Sequence, residues 1–199
     1  MTEIRTRLLL VRHGETSWNA KGLWQGHGDP ELTAEGHAQA DRLARTLHEE
    51  AGPPWTKVIA SDLARAQQTA VAVAGLLSLP VEIDLRLREL DVGAWSGLSR
   101  SEIESRDPET LREFELGDPM IRPGGGESRI EIRERTHAFV CDLANRFAGQ
   151  SLIVVTHLGV IRALVPGAEP RNTERIEVIA EDLAARPIDR HRRPGEGPL

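Results

Sequence analysis

Leu8-Leu9-Leu10-Val11-Arg12-His13-Gly14-Glu15-Thr16 is the stretch on which the reading of this chain turns. Four consecutive apolar residues make the pattern of a strand buried on both faces. A strand covered on both sides belongs to a sheet with helices above and below it, and such sheets are largely parallel. In sheets of that kind ligands bind beyond the carboxyl ends of the strands. The Arg-His-Gly that closes this run therefore stands where chemistry is expected.

Outward from this run the same grammar repeats. Thr33 predicts a helix N-cap with Glu35 in the first turn, and Ala40, Leu43, Ala44 and Leu47 recur at helical spacing to about His48. Gly52-Pro53-Pro54 reads as the turn that ends this helix. Val58-Ile59-Ala60 is a second buried run. Ser61 or Asp62 is expected to cap the next helix, whose apolar face is Leu63, Ala66, Ala70, Val73, Ala74 and Leu77. Val81-Glu82-Ile83 is a third short strand. A helix with Val140, Leu143, Ala144 and Phe147 precedes a fourth run, Leu152-Ile153-Val154-Val155. A short helix from about Gly159 to Leu164 and a last strand from Ile176 to Ile179 follow. The predicted fold is α/β, a mostly parallel open sheet with helices on both faces. From Arg86 to about Gly126 the periodicity fades into Gly, Pro and charge, which predicts a small cap insertion of loop and short helices. Residues 1–185 are thus expected to form a single domain carrying that insertion, and 186–199, rich in Arg, Pro and Gly, a flexible tail.

Composition narrows the partners. In 199 residues, 39% are hydrophobic and 28% charged, enough for a core and a solvated surface. A net charge of −6 argues against a nucleic-acid surface, so any phosphate site must be a local positive hollow in a negative whole. The single Cys141 excludes an internal disulfide and a cysteine-based zinc site, and its helical spacing with the apolar face assigns it to the core. The apolar run near the start is too short for a signal peptide or a membrane span, so no membrane partner and a cytoplasmic location are expected.

The strand-end rule then generates a list. Strand one leads to Arg12 and His13, strand two to Ser61 and Arg65, strand three to Arg86-Leu87-Arg88-Glu89, and strand four to Thr156 and His157. Two histidines, several arginines and a glutamate converge on one rim. Displacing a phosphate monoester needs neutralised oxygens, an in-line nucleophile and a proton for the leaving alkoxide. Arg12 and Arg65 offer planar forks, and Arg65 also falls in the first turn of its helix, whose amides favour an anion. His13 can attack as neutral imidazole, with neighbouring cations expected to oppose its protonation. His157, if protonated, is a further donor, and Glu89 is the general acid where burial holds it protonated.

Each residue alone has a plainer reading. A lone strand-end histidine is more often structural, Arg65 alone is a helix surface charge, and Glu89 alone is a solvated loop carboxylate. The joint pattern outweighs those readings. His37, His48 and His137 read as ordinary helix residues and His27 as a loop residue whose role the sequence leaves open. Gly124-Gly125-Gly126 has no buried strand before it and reads as a flexible turn before a helix rather than a phosphate cradle. The four tryptophans read partly as core, with Trp24 and Trp95, in loops near the mouth, as candidate substrate walls. With only His13 and His157 well placed and no carboxylate cluster beside them, no metal site is expected.

Arg12-His13-Gly14-Glu15-Thr16 directly after a strand resembles the RHG signature of the histidine phosphatase (phosphoglycerate-mutase-like) superfamily. The likeness continues through Trp18-Asn19, Gln25-Gly26, Asp29, Leu32-Thr33 and Gly36-His37-Ala38-Gln39-Ala40. Ser61 to Ala70 resembles the family's second arginine motif, and Leu87 to Leu98 its general-acid motif. Pro123-Gly124-Gly125-Gly126-Glu127-Ser128 resembles its P-G-G-E-S turn with one extra glycine, and Val155 to Arg162 its second histidine motif. RHG alone is weak; five blocks in this order are specific, and they span roughly Leu8 to Leu164. The resemblance implies that His13 forms a phosphohistidine, that Arg12, Arg65 and His157 hold the phosphoryl group, and that Glu89 is the acid. It also implies that Asn19 and Gln25 line the pocket, and Thr16, Gly26 and Trp24 from the same blocks join them in the substrate-binding set. Leu158 belongs to that set too; it stands where relatives have a small residue, which narrows or tilts the pocket. After Leu164 the chain reaches Pro166-Gly167 and Pro170-Arg171-Asn172-Thr173 quickly, where relatives have a longer helix.

The expected activity is hydrolysis of a small phosphorylated metabolite, without cofactor or metal. The compact Val92 to Leu98 stretch and Trp24-Gln25-Gly26 favour the phosphatase branch over the runner-up, a cofactor-dependent phosphoglycerate mutase. A non-catalytic phospho-ligand binder is the alternative of another class, against which stands the presence of both nucleophile and acid. The oligomeric state is left open, a homodimer being one option.

Overall fold

A computed structural model describes residues 5–50 and 54–188. The strands are β1 (Arg7–Arg12), β2 (Lys57–Ala60), β3 (Val81–Ile83), β4 (Ser151–Thr156) and β5 (Arg175–Ile179). The α-helices are α1 (Ser17–Ala20), α2 (Ala34–Glu49), α3 (Ala64–Leu77), α4 (Arg100–Arg106), α5 (Pro108–Glu115), α6 (Arg129–Arg146), α7 (Leu158–Leu164) and α8 (Ala180–Ala184). The sheet order is β3-β2-β4-β1-β5, parallel except for the antiparallel edge strand β5. All six residues of β4 are buried, as expected of a central strand. Successive side chains go to opposite faces. Leu8, Leu10, Ile59, Leu152 and Val154 face one core with α6, α7 and α8; Leu9, Val11, Val58, Ala60, Ile153 and Val155 face the other, against α2 and α3. The expected mostly parallel sheet with helices on both faces is therefore observed.

The segment expected as loop and short helices contains α4, α5 and three single 3-10 turns. Its Leu87, Leu90, Val92, Trp95, Ile103, Leu111 and Phe114 join the core of the α6 face. The helix α8, which the sequence pattern did not announce, adds Ala180 and Leu183 to that core beside Leu164. Gly52 and Pro53 of the expected turn, and residues 189–199 of the expected tail, lie outside the described residues.

Thr33 caps α2 as predicted, its hydroxyl accepting from the amide of Gly36 at 3.0 Å. The cap of α3 is corrected. Its N-cap position is Leu63, and neither Ser61 nor Asp62 caps it. Asp62 is drawn into a two-point ion pair with Arg88. The first amide of α3, at Ala64, instead donates at 2.7 Å to Asp29, which arrives from a loop far away in sequence.

Candidate active site

The parallel pairing of β1 with β4 brings Arg12 opposite Thr156, so the residues that follow, His13 and His157, emerge side by side. Their ring centroids are 5.1 Å apart. The His13 amide donates to the Thr156 carbonyl at 3.0 Å, extending the ladder by one bond and fixing the histidine at the strand's mouth. Both imidazoles are buried, at 2% and 0% exposure.

The hydrogen bonding of His13 decides its chemistry. Nδ1 lies 2.7 Å from the Gly14 carbonyl oxygen. A carbonyl only accepts, so Nδ1 carries the proton and Nε2 is left with the lone pair. The pKa of His13 is held well below the usual imidazole value, first by burial, then by Arg65 and Arg12. Neighbouring cations were expected to be the cause; burial outranks them. His157 is likewise held well below the usual value, first by burial and then by Arg65 and His13. His157 was expected to be a further donor if protonated, and its burial opposes that protonation.

Arg65 reaches the hollow from the first turn of α3 and is fully buried. Nη1 donates to the Gly28 carbonyl at 2.7 Å and Nη2 to that of Gly26 at 2.9 Å. Arg12 Nη1 donates to the Pro170 carbonyl at 3.0 Å. Burial lowers both guanidinium pKa values, and the nearby Glu89 opposes that. Both stay charged at any ordinary pH. Arg12 Nε, Arg65 Nε and both ring nitrogens of His157 are buried without a hydrogen-bond partner among the described residues. Buried polar atoms are nearly always paired, so four orphans around one histidine mark a place built for an outside partner.

Glu89 is half-buried in the irregular segment after β3. Its Oε1 accepts the amides of Leu90 at 2.8 Å and Gly159 at 2.9 Å. Position 159 must be glycine for this: a Cβ there would lie 2.1 Å from that oxygen. With Oε1 committed as an acceptor, Oε2 is the oxygen left to exchange a proton. Arg12 and Arg65 lie within reach of the charge of Glu89, and His13 and His157 within reach of that of Arg65, so the five side chains form one cluster.

The other expected residues sit around this group. Thr16 is fully buried and caps α1; its amide and hydroxyl both lie 3.1 Å from Asn19 Oδ1, and its hydroxyl lies 3.2 Å from Gln25 Oε1. Gly26 supplies the carbonyl that holds Arg65. Leu158 is the first residue of α7 and half-buried. Trp95 is only 2% exposed and packs edge-on against Trp24 and Phe114, so Trp95 is core and not a substrate wall. Trp24 is partly buried against the same cluster. Gly124 and Gly125 form a tight 3-10 turn that leads to α6.

Sequence reasoning missed several supports. Asn172 donates to the His13 carbonyl at 2.9 Å and to Asn19 Oδ1 at 3.3 Å. Thr156 donates to the Leu87 carbonyl at 2.9 Å, tying the end of β4 to the segment that carries Glu89. His27 Nε2 lies 2.9 Å from the Glu89 carbonyl. Asn172 had one legible signal, its place just before the strand that pairs with β1; the others had none, because their partners are distant in sequence. Among the described residues no group of three or more His, Cys, Asp or Glu is placed to hold a metal ion, and no helix is long and apolar enough to cross a membrane.

Comparison with known proteins gives a consistent answer. The model of the histidine phosphatase superfamily (branch 1) matches residues 8–186. A metal-independent phosphoserine phosphatase of Arabidopsis thaliana is 38% identical over 161 residues, 80% of this chain and 67% of that protein. Phosphoglycerate mutase-like protein 4 of the same plant is 39% identical over 173 residues, 85% of this chain and 74% of that one. A mycobacterial glucosyl-3-phosphoglycerate phosphatase, solved as a complex with VO3, superposes with a TM-score of 0.76 at 30% identity, covering 86% of this chain and 91% of the other.

Proposed function

Because the chain belongs to the histidine phosphatase superfamily, branch 1, and is a phosphoric monoester hydrolase of small phosphorylated metabolites, we propose that Nε2 of His13 is the nucleophile. The observation that carries this reading is the bond from His13 Nδ1 to the Gly14 carbonyl, which leaves Nε2 unprotonated among buried cationic donors. Nε2 attacks phosphorus, the N–P bond forms and the P–O bond to the alcohol breaks. Glu89 gives its Oε2 proton to the departing oxygen. Arg12, Arg65 and the N–H of His157 carry the charge of the transferring oxygens. Water then attacks the phosphohistidine, Glu89 takes back a proton, and inorganic phosphate leaves. Asn19 and Gln25 turn their NH2 ends to the substrate, since their oxygens are engaged with Thr16. The reaction needs no metal on this route, and we place the protein in the cytoplasm.

The substrate class is a small phosphate monoester. Phosphate release from a panel containing phosphoserine, glucosyl-3-phosphoglycerate, sugar phosphates and a nucleoside monophosphate tests it, with interconversion of phosphoglycerates run alongside. Release of phosphate that survives exhaustive EDTA, with an acid-labile phosphoryl label on the fragment holding His13, is the expected result. Turnover that requires an added divalent metal, or a label elsewhere, would overturn the reading.

A further inference from the structure

Glu89 is fastened at two points. Its carboxylate is held by the amides of Leu90 and Gly159, and its main-chain carbonyl by two side chains. One is His27; the other is Arg135 of α6, whose Nη2 donates to that carbonyl at 3.0 Å. Nη1 of the same guanidinium donates at 2.6 Å to the carbonyl of Arg86. Nε and Nη2 form a two-point pair with Glu127, at 2.7 and 2.8 Å. We propose that Arg135, locked by Glu127, is a positioning residue for Glu89: it sets the place from which the acid meets the leaving-group oxygen. The inference rests on the reading of Glu89 as the proton donor.

Arg135 spans the segment on which the acid rides. Arg86 to Glu89 has left the sheet, so its carbonyls find no strand to pair with. Those of residues 86 and 89 go to Arg135, and that of residue 87 to Thr156, next to His157. The segment is thereby gauged between the end of β4, which carries the hollow, and α6. Four of the five N–H groups of Arg135 are used, in one plane, on four different acceptor atoms. A lysine offers three donors at a point and cannot reproduce that fork. The Glu127–Arg135 side chains are only 16% and 20% exposed, so solvent loosens this pair less than a surface ion pair.

Glu127 is itself held in place by the glycine turn before it. A Cβ on Gly124 would lie 2.4 Å from the Val92 carbonyl oxygen, and one on Gly126 would lie 2.3 Å from that of Asp91. The bare backbone of the turn packs against the Asp91–Trp95 stretch, and the Glu127 amide donates to the Asp91 carbonyl at 2.9 Å. The Pro-Gly-Gly-Gly-Glu stretch thus delivers a carboxylate to Arg135 rather than amides to a phosphate.

The test compares Arg135→Lys and Glu127→Gln with Glu89→Gln, by single-turnover phosphoenzyme formation from glycerol phosphate and from p-nitrophenyl phosphate. A misplaced acid matters for a basic alkoxide and hardly for p-nitrophenolate. Arg135→Lys should slow the alkyl ester about 30-fold and the nitrophenyl ester less than about 3-fold, the scale expected when a reacting group shifts by a fraction of an ångström. Glu127→Gln should follow in the same direction with a smaller loss. Inhibition by inorganic phosphate, which reads the hollow alone, should not change. Equal losses on both esters, or none, overturn the inference. If Arg135→Lys does not fold, Glu127→Gln, which keeps shape and an acceptor, decides by the same criterion. Should Glu89→Gln itself show no leaving-group dependence, the reading of Glu89 fails and takes this inference with it. If only the Glu127 and Arg135 variants lack that dependence, the inference alone falls.

Discussion

Arg12, His13 and His157 stand at the ends of β1 and β4, neighbouring strands whose register brings them together, and every residue of β4 is buried. Glu89 stands half-buried in the irregular segment that follows β3. In the hollow, polar nitrogens are left without partners among the described residues: Arg12 Nε, Arg65 Nε and the ring nitrogens of His157. Around Glu89 the opposite holds, for its Oε1 and its carbonyl are each taken twice. Rigid strand ends can carry unsatisfied groups because the sheet holds them whether or not an anion is present. An acid on a loop must be held by hydrogen bonds of its own. Hence one half of the site is preorganised by burial and the other by polar ties, and the two halves should fail differently.

The largest effect should follow removal of the nucleophile. His13→Ala is expected to abolish phosphoenzyme formation from every ester, a loss of several orders of magnitude in turnover. Rapid-quench labelling measures it, and near wild-type turnover in the variant would mean that the hollow is misread. Glu89→Gln should be severe with an alkyl phosphate and mild with p-nitrophenyl phosphate, because glutamine keeps the shape and loses only proton transfer and charge. The comparison belongs to the first, burst step, since Glu89 also serves water attack. Equal losses on both esters would make Glu89 a residue of the hollow and erase the contrast between the two regions.

A subtler break concerns the oxyanion. Vanadate adopts a five-coordinate shape like the transition state and should inhibit more tightly than phosphate. Arg65→Ala should weaken both, by roughly 10- to 100-fold for a buried charge-assisted contact. Glu127→Gln, acting on the other region, should leave both constants where they were. Competitive inhibition assays read this directly, and a loss of oxyanion binding in Glu127→Gln would show that the two regions are not separable.

The legibility of the chain follows the same division. Leu8 to Val11 and Leu152 to Val155 announced their strands because a doubly covered strand needs an unbroken apolar run, and the residues at their ends were then deducible. Arg65 was legible one helical turn after its strand. The cap of α3 was not, since Asp29 closes it through space while Asp62 is spent on Arg88. Trp95 looked like a wall because loop aromatics often are, yet its burial comes from Trp24 and Phe114, which only the tertiary fold brings near. Nothing local in the sequence distinguishes Arg135 from the other charged residues of its helix. The downward shift of the His157 pKa depends on burial, which periodicity does not encode.

The smallest expected effect is on stability against pH, and it probes the hollow alone. His13 and His157 have folded pKa values held well below the ordinary 6.5. In the unfolded chain both titrate near that ordinary value. Above it neither state takes up a proton, and the histidines add nothing to the pH dependence. As pH falls below it, the unfolded chain gains protons that the folded chain refuses, so stability drops until the folded pKa values are reached. Each histidine contributes up to one proton to this slope. Carboxylates such as Asp62, held below their usual range by Arg88, titrate at lower pH and leave the window to the histidines. Thermal melts of the ligand-free protein between about pH 8 and about pH 5 should show this fall. The fall should be shallower in His13→Asn and in His157→Asn, and shallowest in the double variant; subtracting the curves removes the other histidines. Glu127→Gln should keep the wild-type slope in this window, because it touches only the segment of Glu89. A slope unchanged by either histidine variant would mean that the imidazoles titrate alike in the folded and the unfolded chain, so that burial in the hollow does not hold His13 and His157 in the neutral form.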